Sequence, residues 1–242
     1  MQNESLVAEY LDSLSCALSF DPKLSRRVRD EVADHLHESI ASATSHVDTV
    51  REIRDAARGA IGRFGSPWEI ARQYAATSLG RQAKAAGFAV FFSVLCIFGT
   101  MKYRTAWYRA AHWVNGSHYA ALMSVIVPID RYAFLVALLL GFAGLFYSRI
   151  LPPLGGFDPP CRKMLRRRAA VCAAATSAFI ASVASDAALT AAHLAAHAWS
   201  VSIVAPIGSV LVEVGLAVYL SLCMRRLFGR FSAAAALINA QD

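Results

Sequence analysis

The sequence predicts an all-α membrane protein, with an N-terminal small cytoplasmic helical bundle followed by a four-helix transmembrane bundle. Three observations carry this. Apolar residues make up 56% of the 242 positions and charged residues only 17%, with a mean hydropathy of +0.42. That is more apolar and less charged than an average soluble domain, and it excludes intrinsic disorder. The charge is also unevenly placed. Residues 1–79 hold nine Lys/Arg against twelve Asp/Glu, whereas residues 80–242 hold fifteen against five. Finally, helical apolar stripes fill the first 80 residues, and longer charge-poor runs follow. The expected division is residues 1–80 as a soluble domain and 81–242 as the membrane domain. Residues 1–20 carry three acids and no base. They are unlike a signal peptide, so the N-terminus is expected to stay in the cytoplasm.

The first helix is expected over 4–19, with Leu6, Val7, Tyr10, Leu11, Leu14 and Leu18 as its apolar stripe. Asp21 is a good N-cap and Pro22 suits a first helical position, so a second helix should open there and run to about 43. Its Leu24, Val28, Val32, Leu36 and Ile40 recur every four residues, opposite a charged face. Asp48 can cap a third helix over 49–63, which Gly65 is placed to end. Ser66 and Pro67 then cap and open a fourth, carrying Trp68, Ile70, Ala71 and Tyr74. Each helix has one apolar stripe, so the four must pack on one another.

These residues resemble a known module. The run Tyr10 to Leu18, then Pro22, Arg29, Glu31 and His35-Leu36, and last Phe64-Gly65-Ser66-Pro67 with Ile70-Ala71, is similar to the HAAS domain and to the related permease-prefix domain. The most specific part is the FGSPWEIA turn. The likeness covers about a third of the chain. Members are small helical cytoplasmic modules placed before transmembrane helices, without catalytic residues of their own. They are commonly paired with a PadR-like transcriptional regulator. The resemblance therefore implies a bacterial inner-membrane protein with a signalling role and a cytosolic regulatory protein as partner. The prefix version is disfavoured, because the chain has no large extracytoplasmic domain and no nucleotide-binding motif.

Four spans are expected in the body, at 85–101, 131–149, 169–190 and 201–224. Each approaches the roughly 17–25 apolar residues that a crossing needs. Residues 119–129 are apolar but too short to cross alone, and Pro128 should kink them. The 149–168 loop carries Arg149, Arg162, Lys163 and Arg166–Arg168, and the C-terminal tail carries Arg225, Arg226 and Arg230. By the positive-inside rule both termini are cytoplasmic. The basic cluster should also touch anionic lipid headgroups, making membrane lipid a partner. Lys102, Arg104, Arg109 and Arg131 run against that rule in the first outer loop. The Trp107, Tyr108 and Trp113 of this loop are expected to make an amphipathic helix at the outer interface, in preference to a functional cation site.

Two residue groups invite a functional reading. Asp186, Thr190, His193 and His197 share one face of the third span, and Glu213 lies in the fourth. A hairpin turning near Trp199 would bring Asp186 and Glu213 to one depth. Intramembrane acids are expensive and face the bundle interior or water. They serve structural contacts most often, and otherwise a proton relay, an ion site or a metal site. His193 and His197 are also spaced to ligate one ion. The second group lies on the charged face of helix two: Arg27, Asp30, Asp34, His37 and Glu38, with Glu31 and His35 beside them. Such a face is usually solvated, and its functional alternative is a docking surface. Five cysteines, an odd number with no close CxxC pair, give no zinc ribbon or disulfide framework. No P-loop, GxSxG, HExxH or dinucleotide fingerprint is present.

The function expected is therefore non-enzymatic, with no cofactor, no metal and no direct nucleic-acid contact. A membrane-anchored regulatory protein would present its head to a soluble partner. The alternative is a small transporter or transport component using Asp186 and Glu213. A membrane enzyme using Asp186, His193 and His197 ranks third. Small residues at Ala173–Ala175, Gly215 and Ala217 would permit the close helix contacts of a homo-oligomer, and equally of packing within one chain.

Overall fold

The computed structural model describes residues 2–44, 50–110, 120–150, 159–196 and 203–239. Seven α-helices account for nearly all of these: α1 Gln2–Ala17, α2 Pro22–Thr44, α3 Val50–Phe64, α4 Pro67–Ala110, α5 Ala120–Ile150, α6 Pro159–Ala196 and α7 Val204–Asn239. No strand occurs among the described residues. The chain divides into two compact units. One is Met1–Gly80 with Pro153–Arg162 and Phe228–Asp242; the other is Arg81–Pro152 with Lys163–Leu227.

In the first unit, Val7, Tyr10, Leu11, Leu14 and Leu18 meet Val28, Val32 and Leu36 of α2, and Ala71 of α4 closes the core. Phe64, Trp68 and Tyr74 pack around it. The caps are those the residue types dictate. Asp21 Oδ1 accepts from the Leu24 amide at 3.4 Å, and Pro22 follows as the first residue of α2. Gly65 adopts φ +84° and ends α3, a backbone state that costs an L side chain. Ser66 Oγ then accepts from the Trp68 amide at 3.3 Å. The Tyr10 hydroxyl donates to the Gly65 carbonyl at 3.1 Å, tying α1 to that turn. The late part of α7 belongs to this unit too, where Arg230 Nη1 lies 3.2 Å from Asp21 Oδ2.

The second unit has its core in Val90, Val94 and Ile97 of α4, Ala137 of α5, Ala175, Phe179 and Val183 of α6, and Ala217 and Leu220 of α7. Helices α4 and α5 approach closely. A Cβ on Gly141 would stand 3.5 Å from Val90 Cγ1, and one on Gly87 would stand 3.7 Å from the Gly144 carbonyl group. Without water to drive association, such small-residue contacts are how membrane helices gain packing. Large apolar side chains point outward, among them Leu139 at 67% and Leu211 at 66% exposed, while Arg104 and Glu213 are buried. Four helices are long and apolar enough to cross a membrane. The chain is a multi-pass membrane protein.

Several boundaries differ from expectation. The fourth head helix and the first span are one element, α4. No proline stands between Pro67 and Ala110, and Gly80, Gly87 and Gly99 are single, separated costs that do not end the helix. Residues 102–110 thus continue α4 instead of forming a separate interfacial helix; Trp113 lies outside the described residues. Helix α5 starts at Ala120 and runs through Pro128, so residues 120–129 are no separate segment; residue 119 lies outside the described residues. A proline removes one helical rung, which membrane helices tolerate. Helix α6 opens at Pro159, so Arg162, Lys163 and Arg166–Arg168 sit on helix, with proline at its favoured first position. Helix α7 carries Arg225, Arg226 and Arg230 on to Asn239. Asp48, His197, Trp199 and residues 201–202 lie outside the described residues.

Candidate functional site

Polar residues recur every four positions on three helices of the second unit. Thr100, Arg104 and Tyr108 share a face of α4; Ser182, Asp186 and Thr190 share one of α6; Ser209 and Glu213 share one of α7. The fold turns these stripes inward on one another.

Arg104 is the centre. It is 3% exposed, and its guanidinium bridges both acids. Nη2 bonds Asp186 Oδ2 and stands 3.4 Å from Glu213 Oε1. Nη1 donates to Ser209 Oγ at 3.1 Å and to Glu213 Oε2 at 3.4 Å. Thr100 Oγ1 donates to Glu213 Oε1 at 2.8 Å. Glu213 is fully buried, so its two oxygens depend on these donors. A third carboxyl, Asp130 of α5, takes the Ser182 hydroxyl at 2.6 Å and is also buried.

One turn further along, the Tyr108 hydroxyl lies 3.4 Å from Thr190 Oγ1. Its ring stacks on His193, with centroids 4.8 Å apart and planes 8° from parallel. His193 Nδ1 lies 2.8 Å from the Leu189 carbonyl oxygen. A carbonyl only accepts, so this nitrogen carries the proton. His193 thus stacks on Tyr108 and bonds to the backbone of its own helix. Among the described residues no three His, Cys, Asp or Glu side chains are placed to hold a metal ion.

Asp186 and Glu213 thus meet through Arg104, which sequence reasoning assigned to the outer interface. Asp130, Thr100, Ser182 and Ser209 were missed as well. The signal was present: the four-residue polar spacing on each helix, and a lone arginine near two intramembrane acids that need a counter-charge.

The α2 group has a different character. Arg27, Asp30, Asp34, His37 and Glu38 are all exposed and fall within one arc of the helix, opposite buried Val28, Val32 and Leu36. His35 Nδ1 lies 3.9 Å from Glu38 Oε2, and Arg29 pairs with Asp12 at 3.0 Å beside the stripe. Exposed pairs of this kind contribute little to stability. The stripe is a charged, solvated surface on a well-packed helix. No family model, curated protein or solved structure matches the chain.

Proposed function

We propose that the chain is a non-enzymatic, membrane-anchored regulatory protein whose N-terminal bundle binds a soluble partner. The observation that supports this most is the exposed arc of Arg27, Asp30, Asp34, His37 and Glu38, opposite the buried Val28, Val32 and Leu36. Its resemblance to the HAAS domain points to a PadR-like transcriptional regulator as that partner. In this reading the protein sits in a bacterial inner membrane with both termini in the cytoplasm. It acts by sequestration and release, shifting a population of the partner between bound and free.

The test uses the full-length protein extracted from native membranes in mild detergent. A soluble DNA-binding regulator should copurify with the intact chain. It should be lost from a variant carrying Asp30→Lys, Asp34→Lys and Glu38→Lys, whose membrane level is unchanged. Equal recovery from both chains, or recovery from neither, would overturn the proposal.

One observation favours a second reading, a small transporter or transport component. Three buried carboxyls, Asp130, Asp186 and Glu213, stand near a single buried guanidinium. In that case Asp186→Asn or Glu213→Gln abolishes a flux in protein that still folds. Normal flux in both variants ends that reading.

A further inference from the structure

Helices α4, α5 and α6 surround a cavity of about 410 Å³ in the second unit. Its wall includes Ala83 of α4, Ala143 and Gly144 of α5, and Arg167, Arg168 and Ala170 of α6. Apart from the two guanidinium groups the named wall is small and apolar. Gly144 lies close to the α6 wall: a Cβ there would stand 3.8 Å from both Cys172 Sγ and Val171 Cγ1, an ordinary contact distance. The volume falls in the range of small-molecule sites, roughly 300–1,000 Å³.

The position of the cavity along its helices decides what it can hold. On α4 it lies beside Arg81 and Lys84, where the apolar run begins. On α6 it lies at Arg167 and Arg168, immediately before the apolar run from Ala169. Both helices therefore place it at the depth where hydrocarbon meets headgroups. There the ligand must be charged at one end and apolar at the other. Among the described residues no Asp or Glu lines the cavity, and the charge they bring to it is positive.

We propose that this cavity is a binding site for one anionic phospholipid, its phosphate paired with Arg167 and Arg168 and an acyl chain lying against Ala83, Ala143, Gly144 and Ala170. A guanidinium fork matches phosphate oxygens two at a time. Basic pockets between membrane helices are suited to such headgroups. A free phosphate would satisfy the arginines and leave the apolar wall uncovered. The inference rests on the chain being a multi-pass membrane protein and is independent of the regulatory reading.

The test is native mass spectrometry of the delipidated full-length protein. It is titrated with phosphatidylglycerol or with phosphatidylcholine of the same acyl chains. One phosphatidylglycerol should bind in preference. Arg167→Gln with Arg168→Gln should weaken it by about tenfold or more. Lys163→Gln with Arg166→Gln removes equal charge from exposed positions outside the named lining and should leave binding intact. Ala143→Phe, which fills the cavity, should abolish it. Equal binding of the two lipids, equal loss in both double variants, or unchanged binding in folded Ala143→Phe would each overturn the proposal. So would displacement by inorganic phosphate at concentrations comparable to the lipid. Should Ala143→Phe fail to fold, the two charge variants still decide the matter.

Discussion

Arg104 shows how one side chain organises a membrane interior. Its guanidinium reaches from α4 to an acid on α6 and another on α7, with Ser209 as a further acceptor. Removing it alone leaves Asp186 and Glu213 buried without their cation. Arg104→Met should therefore cost about 3–5 kcal/mol. The readout is heat-stable, monodisperse protein in detergent. Replacing the whole group, by adding Asp186→Leu and Glu213→Leu, should recover most of the loss. Thr100 and Ser209 would still have the Ile97 and Pro206 carbonyls as acceptors, at 2.9 and 2.8 Å. A single variant as stable as the parent would sink the account. Tyr10 offers a smaller case. Its hydroxyl bonds Gly65 at 3.1 Å, so Tyr10→Phe should cost about 1 kcal/mol. Burial also pushes the phenol above its usual ionisation range. The folded bundle thus holds that proton more tightly than the unfolded chain. Stability is present below the unfolded value of about 10 and falls as pH rises through it. Tyr10→Phe should show a shallower loss in that window by urea unfolding followed at pH 9 to 11.

Among the elements, the turn between α3 and α4 is the most legible in sequence. Gly65, Ser66 and Pro67 each do what their residue type allows: a positive φ, a side-chain cap, and a preset first helical residue. Gly65→Ala forces a Cβ into the left-handed region and should cost about 1–2 kcal/mol. Faster amide exchange confined to the ends of α3 and α4 would report it, and unchanged protection would argue against a strained turn. The long elements were harder to read. Helix α4 looked like two pieces because its composition changes near Arg81, from an amphipathic head helix to an apolar span. Composition is no breaker, and helix propagation needs only the absence of one. Residues 119–129 read as too short to cross alone, yet α5 carries 120–129 on through Pro128 into the span. A membrane offers the backbone freed by a proline no better alternative than to continue as helix.

For the whole molecule, the charge pattern and the outward-facing apolar surface point the same way. Leu139 is 67% exposed on α5, in a surface suited to lipid. Leu139→Lys should impair stable insertion by about 2.5–3.5 kcal/mol, read as loss from carbonate-washed membranes. The topology proposed above, four crossings with basic flanks inside, puts the two ends of the chain in the cytoplasm. Reporter fusions at residues 1 and 242 should both be active in the cytoplasm. Opposite activities would require a different number of crossings.

Composition and periodicity were enough to establish an all-helical chain, four apolar helices able to cross a membrane, and the core positions of the bundle, from Leu14 and Leu18 to Val28 and Leu36. These follow from local rules: an apolar stripe must be buried, and an apolar run must leave water. Asp186 and Glu213 were visible as costly acids for the same reason. Their partner was decided only by the tertiary structure. Arg104 follows the charge-free run closely, and by sequence alone it reads as a residue at the interface. It becomes a buried counter-ion because α4 continues past it and two other helices bring carboxylates to its face. A pairing between residues 82 and 109 positions apart leaves no mark on local periodicity, since its energy arises only once packing removes the solvent around all three groups.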